Sequence, residues 1–256
     1  ALPALADTKT TKYLIFVENG KQAGEQVVEQ TDHGTRKVRF IFKDNGRGPE
    51  LSEEIKLGAD GLISEYQVKG NSTFGAVVDE KYTRQGNLAQ WQSTSEKGKQ
   101  TLNGSALYIP LSSSFEISSI AINALSKLPN NALPLLPSGT LSQHKIGELT
   151  VSKGEQKQTV QLLAQTGIGL SPSFVWATTG AEPRLFAVVV PGYMNAIEEG
   201  WQANAEAMAQ FQKQAESKVL TEWAKKLQHP LPGLTVIRNA RIFDSKTTKV
   251  GKASDV

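Results

Sequence analysis

From Tyr13 to Ser95 apolar and polar positions alternate in short runs separated by turn dipeptides, the period-two signature of strands. Tyr13-Leu14-Ile15-Phe16-Val17, then Asn19-Gly20, then Gln26-Val27-Val28 predict a hairpin, because Asn and Gly accept the positive φ that a tight turn needs. Val38, Phe40 and Phe42 alternate with Arg39, Ile41 and Lys43, as a half-buried strand requires. Further runs at 55–57, 62–68, 77–82 and 88–91 are broken by Ala59-Asp60-Gly61, Gly70-Asn71 and Gln85-Gly86-Asn87. With no helix intervening, this spacing predicts an antiparallel sheet curled on itself rather than βαβ units.

The period then changes. Ile117, Ile120, Ala121, Ala124, Leu125 and Leu128 recur at helical intervals after Ser112-Ser113-Ser114, and Pro129 stops them, which predicts a short helix lying against the sheet. Leu133 to Gly139 reads as a rigid apolar crossing, and strand signals resume at 145–151, 157–165, 173–177 and 185–190. From Tyr193, the residues Met194, Ile197, Trp201, Met208, Phe211, Ala215, Val219, Trp223 and Leu227 keep an approximate three-to-four spacing and predict one long amphipathic helix. His229-Pro230-Leu231-Pro232-Gly233 is a stiff linker. The expected fold class is therefore α+β: a large curved antiparallel sheet, open-barrel or clamshell-like, with a short helix and a long C-terminal helix. The expected division is a tail at 1–10, a β-rich domain at 11–192, a helix at 193–228, the linker at 229–233 and a further β segment at 234–256.

Composition narrows the function. The 28 Lys+Arg against 25 Asp+Glu leave a net charge of +3 with no basic block, which argues against nucleic acid as a partner. No window approaches the ~20 apolar residues of a membrane-spanning helix. The absence of Cys removes disulfides, thiolate nucleophiles and Cys-ligated zinc without deciding the compartment. Ala1-Leu2-Pro3-Ala4-Leu5-Ala6 followed by polar Asp7-Thr8-Lys9 fits the A-x-A end of a signal peptide, hence a periplasmic or secreted location, and fits equally an Ala/Pro tail.

Candidate chemistry is sparse. His33, His144 and His229 are far apart in sequence, and metal ligation needs converging ligands. Glu53-Glu54 and Asp79-Glu80 are paired carboxylates, but neighbours on a strand point to opposite faces, so they read as solvated surface and not as acid and base partners. Gly46-Arg47-Gly48 reads as a hairpin turn, since no phosphate-loop pattern or helix follows. No G-x-S-x-G elbow occurs. Trp201, Trp223, Met208 and Phe211 form a bulky stripe that reads as packing. No catalytic, cofactor-binding or metal-binding residue is assigned.

After the linker, Val236-Ile237-Arg238-Asn239-Ala240 and Ile242-Phe243-Asp244 resemble the opening of the amidohydrolase superfamily. Asn45-Gly46-Arg47-Gly48-Pro49-Glu50-Leu51, Val68 to Thr73, Trp91-Gln92-Ser93-Thr94 and Pro191-Gly192-Tyr193 are similar to a domain that precedes such enzymes in bacteria. The resemblance implies a non-catalytic accessory region of a bacterial metal-dependent hydrolase of amide-type C–N bonds. Its partner would be a downstream barrel holding zinc or another divalent metal; this chain itself would be inactive and without a cofactor. A homo-oligomer is compatible with this reading. The alternative is a carrier or binding module, with a hydrophobic ligand in a curved-sheet cavity lined by Phe40, Phe42, Tyr66 and Trp91.

Overall fold

The computed structural model describes residues 9–31 and 34–256. The proposed signal-peptide end before Lys9, and His33, lie outside the described residues, whereas Lys9 and Thr10, expected in the tail, already belong to the first strand.

Fifteen strands make one sheet. They are β1 (Lys9–Val17), β2 (Gln22–Gln30), β3 (Thr35–Phe42), β4 (Glu50–Leu57), β5 (Ile63–Asn71), β6 (Val77–Gln85), β7 (Leu88–Gln92), β8 (Lys97–Thr101) and β9 (Leu107–Tyr108). After helix α1 (Glu116–Ser126) come β10 (Ala132–Leu136), β11 (Thr140–Lys153), β12 (Gln156–Thr166), β13 (Ser173–Thr178), β14 (Leu185–Val190) and β15 (Met194–Glu198). The spatial order is β8-β7-β6-β5-β4-β3-β2-β1-β15-β14-β13-β12-β11-β10-β9, so two meanders meet where β1 pairs antiparallel with β15. Every pairing is antiparallel except the short β9/β10 contact. The fold is α+β, and no ladder joins the terminal strands β8 and β9, so the sheet is open.

The alternation read from the sequence sets the sheet's two faces. Val38, Phe40, Phe42, Leu51, Ile55, Tyr66, Val68 and Tyr82 are buried on the concave side, while their neighbours face outward. Curvature brings the two ends together: Tyr108 of β9 stacks on Tyr82 of β6, with ring centroids 4.2 Å apart and 7° between planes. The concavity is filled by α1, whose Ile117, Ile120, Ala121, Ala124 and Leu125 join the core made by β1–β7. Ile122 packs with Tyr13, Leu163, Val175, Ala177 and Leu185 on the other half of the sheet.

On the opposite face, β11–β15 bury Val151, Val160, Leu162, Trp176, Phe186 and Val189. The helix α2 (Ala205–Leu227) supplies Met208 and Phe211 to this second core. A β-bulge at Lys145/Gly147 leaves the room that Phe211 fills: a Cβ on Gly147 would lie 2.6 Å from its ring. Asn204 pins the helix start by donating to Ser152 O and accepting from Ser152 N.

The helix expected over 193–228 is shorter. Met194–Glu198 is β15, because both faces of this strand are covered: Met194 and Ala196 reach the concave core and Ile197 the second core. Burial on both sides erases the period-two pattern and leaves a spacing that imitates a helix. Gly200, with φ +91°, then turns the chain before α2 begins.

The chain divides into two compact units, residues 1–215 and 216–256. In the second, β16 (Ala240–Asp244) and β17 (Lys249–Ser254) form a hairpin, extended by reciprocal backbone hydrogen bonds between Ile237 and Val256. Asn239 has φ +56° at its entrance.

Candidate functional site

Two parts of the first unit carry the polar chemistry. The first lies on the concave face. Glu53 and Glu80 occupy one row across β4, β5 and β6, separated by Val68, and both are buried. Glu53 accepts hydrogen bonds from Ser114 N, from Ser114 Oγ at 2.6 Å and from Tyr66 OH at 3.3 Å. Glu80 accepts from Tyr108 OH and from Leu111 N at 3.1 Å. Nearby, Gln26 Oε1 accepts from Phe115 N at 2.9 Å, and Glu116 pairs with Arg36. Burial pushes Glu53 up to about 7, against the opposing pull of its Ser114 and Tyr66 hydrogen bonds, and pushes Glu80 and Glu116 upward as well.

Glu53 and Glu80 are thus not the solvated surface expected of them. Alternation does separate Glu53 from Glu54 and Asp79 from Glu80, but Glu53 shares the inward phase of Leu51 and Ile55, and Glu80 that of Val78 and Tyr82. A carboxylate in the apolar phase of a strand was the available signal. With the segment 108–114 seated on them, these carboxylates have no room for a substrate, and they act as anchors for that segment.

The four residues expected to line an apolar cavity are also on the concave face, but they are packed. Phe40 meets Phe115 edge-on at 5.2 Å, Phe42 meets Tyr193 at 6.2 Å, and Tyr66 donates to Ser112 O at 3.1 Å. Trp91 lies 6.3 Å from Tyr108 and so close over Gly98 that a Cβ there would come within 2.2 Å of its ring.

The second part is on the convex face. Register places Glu54, Gln67, Lys81, Gln92 and Lys97 in one row across β4–β8, and Lys56, Glu65, Thr83, Gln90 and Lys99 in the next but one. The row between them, buried Tyr66 and Tyr82 and half-buried Trp91, alternates to the other face. Two adjoining grooves that share Lys81 and Thr83 run between the rows, of about 700 Å³ over β6–β8 and about 180 Å³ over β4–β6. Five strands at ~4.8 Å spacing make a track of ~19 Å. Lys56 pairs with Glu65 at 2.8 Å; among the described residues Lys81, Lys97 and Lys99 have no acidic partner.

His144 is exposed on β11 and His229 is exposed in the linker, and no group of three or more His, Asp or Glu positioned to hold a metal occurs among the described residues. Gly46-Arg47-Gly48 forms a turn closed by the Asp44/Arg47 bridge. Trp201, Met208 and Phe211 pack in the second core, Trp201 edge-on to Phe186 at 5.7 Å. No helix among the described residues is long and apolar enough to cross a membrane.

No protein-family model matches the chain, and no curated protein matches it. A solved β-barrel-like protein of the domain of unknown function DUF1849, from Brucella abortus, aligns with a TM-score of 0.45 and 10% identity over 75% of this chain and 95% of that one. The resemblance to amidohydrolases is corrected: no family model, of amidohydrolases or otherwise, matches the chain, the solved structure named above is a β-barrel-like protein and not an amidohydrolase, and the implied downstream barrel partner is unsupported. The motif that carried it, Val236 to Asp244, leads into a plain hairpin, and an apolar run, an Asn turn and a second apolar run are common to many hairpins.

Proposed function

We propose that this chain is a binding module that holds an extended acidic polysaccharide along the convex groove of β6–β8. The observation that carries this is the groove itself, with Lys81, Lys97 and Lys99 beside Gln90, Gln92 and Thr83. Ammonium groups suit carboxylates, and carboxamides and a hydroxyl suit sugar hydroxyls. Lysines on an edge strand often serve only to deter pairing with another chain, which would account for Lys97 and Lys99 on β8 but not for Lys81 two strands inward. Nucleic acid fits less well, because the chain carries a net charge of only +3 with no basic block.

The other binding-module reading, an apolar ligand inside the sheet, is disfavoured by magnitude. A ligand there would displace α1, whose buried Ile117, Ile120, Ile122 and Leu125 each contribute ~1.5–3 kcal/mol. The sum is comparable to the ~8 kcal/mol that a micromolar ligand returns.

Titration calorimetry with polygalacturonate and with neutral dextran, at ~50 mM and ~500 mM salt, tests the proposal. Polygalacturonate is expected to bind, more weakly at high salt, and the K81E/K97E/K99E variant is expected to lose at least ~10-fold in affinity, as three exposed ion pairs of ~0.5–1 kcal/mol each imply. Equal binding of dextran, or an unchanged variant, would overturn it.

A further inference from the structure

We propose that the hairpin at residues 236–256 docks on an anionic lipid surface, its apolar side chains entering the acyl boundary and its cations resting on the headgroups. The net charge of +3 is unevenly divided along the chain. Residues 216–256 carry 8 Lys+Arg against 4 Asp+Glu, a net of +4, whereas residues 1–215 carry 20 against 21, a net of −1. The hairpin's cations are Arg238, Arg241, Lys246, Lys249 and Lys252, and none of them forms a salt bridge among the described residues. Its two acids are held by neutral groups instead. Asp244, although opposite Lys249 in the ladder, accepts from Lys246 N–H and Thr247 Oγ–H at 2.9 Å, and Asp255 accepts from Asn239 N–H at 3.0 Å.

The same ribbon leaves its large apolar side chains in water. Ile237, Ile242 and Phe243 are 63%, 52% and 60% exposed, and Val236, Val250 and Val256 are exposed as well. Register sets Phe243 opposite Val250, with Arg241 two residues back on one strand and Lys249 and Lys252 close by on the other. A two-stranded ribbon is marginal by itself, and contiguous exposed apolar side chains mark a surface that something covers. A lipid surface answers both features: it accepts the side chains of a thin ribbon without a shaped groove, and its negative headgroups attract cations within a Debye length. A second copy of the ribbon would instead set five unpaired cations against five more, which like charge opposes. With strands of 5 and 6 residues, the ribbon lies on the surface; a membrane-crossing strand needs about 9–11.

Co-sedimentation of the whole chain with vesicles of phosphatidylcholine, alone or with about 30% phosphatidylglycerol, tests this at ~50 mM and ~500 mM salt. Binding to the anionic vesicles is expected to exceed that to the neutral ones at least ~10-fold and to weaken as salt rises. R241E/K249E/K252E is expected to lose at least ~10-fold, and I242S/F243S, which keeps every charge, at least ~5-fold. Phe243→Trp, read as the difference from wild type, is expected to emit further to the blue on the anionic vesicles. K81E/K97E/K99E, altered in the convex groove, is expected to bind vesicles like the wild type, which separates this site from the one proposed for polysaccharide. Equal binding to both vesicles, an unshifted Phe243→Trp emission, or wild-type binding by I242S/F243S would overturn the proposal. So would a tighter hold on a single-stranded oligonucleotide than on the anionic vesicles, which would assign the cations to nucleic acid.

Discussion

Trp176→Ala is expected to lower the unfolding free energy by ~3–5 kcal/mol, the range for removing a fully buried large aromatic. Trp176 is 0% exposed and forms the centre of the core between α2 and β11–β15. Its indole stands 5.7 Å from the ring of Phe211, and its Nε1–H donates to Gln212 Oε1 at 2.8 Å, while Gln212 Nε2 donates to Val189 O at 2.7 Å. The substitution removes ring volume and takes away the donor on Gln212, so cavity and polar costs add. Trp176→Phe separates them, with an expected loss of ~1–3 kcal/mol from the smaller ring and the missing N–H. Urea denaturation followed by circular dichroism measures both; a loss below ~1 kcal/mol for the alanine variant would mean that α2 does not hold this face.

The second large effect is on the pH dependence of stability. Glu53 rises from 4.5 to about 7 in the folded chain, so the native state keeps a proton that the unfolded chain releases. That contribution is complete below the unfolded value and is lost as pH rises through the folded one. Unfolding free energy is therefore expected to increase by ~2–3 kcal/mol between pH ~8 and pH ~5. Glu80 and Glu116 are shifted the same way and add to the slope. Asp60, held low by Arg84, works in the opposite sense only at more acid pH and is partly exposed, so it does not cancel the trend. Urea midpoints across this range check the slope, and Glu53→Gln is expected to flatten most of it. A flat or inverted profile in the wild-type chain would show that the hydrogen bonds from Ser114 and Tyr66 outweigh burial.

Much of the meander was legible because each strand of β1–β7 has one wet face and one dry face. Val38, Phe40 and Phe42 declare their phase, and Asn19-Gly20 declares its turn. Legibility fails where that contrast disappears. In β15 both faces are dry, and the spacing of Met194 and Ile197 imitates a helix; β8, Lys97-Gly98-Lys99-Gln100-Thr101, has almost no apolar member to reveal it. The anchors are hidden for a different reason: beside Glu54 a second carboxylate reads as surface, and only the phase that Glu53 shares with Leu51 and Ile55 places it inside. The convex groove could not be read at all, since its rows exist only once five strands are set in register.

The seam between β1 and β15 bears on how the chain is made. Tyr13 pairs with Glu198, so the first strand finds its second neighbour only after nearly the whole sheet has been synthesised. Until then Leu14, Ile15 and Phe16 sit on an open edge that any passing strand could extend. Closing a loop of this length costs only a few kcal/mol more than closing a short one, but contacts so distant in sequence slow folding. A nascent chain arrested before Met194 would therefore expose a half-finished sheet at the apolar half of its first strand, and shielding that edge becomes a requirement of biosynthesis rather than of the finished fold.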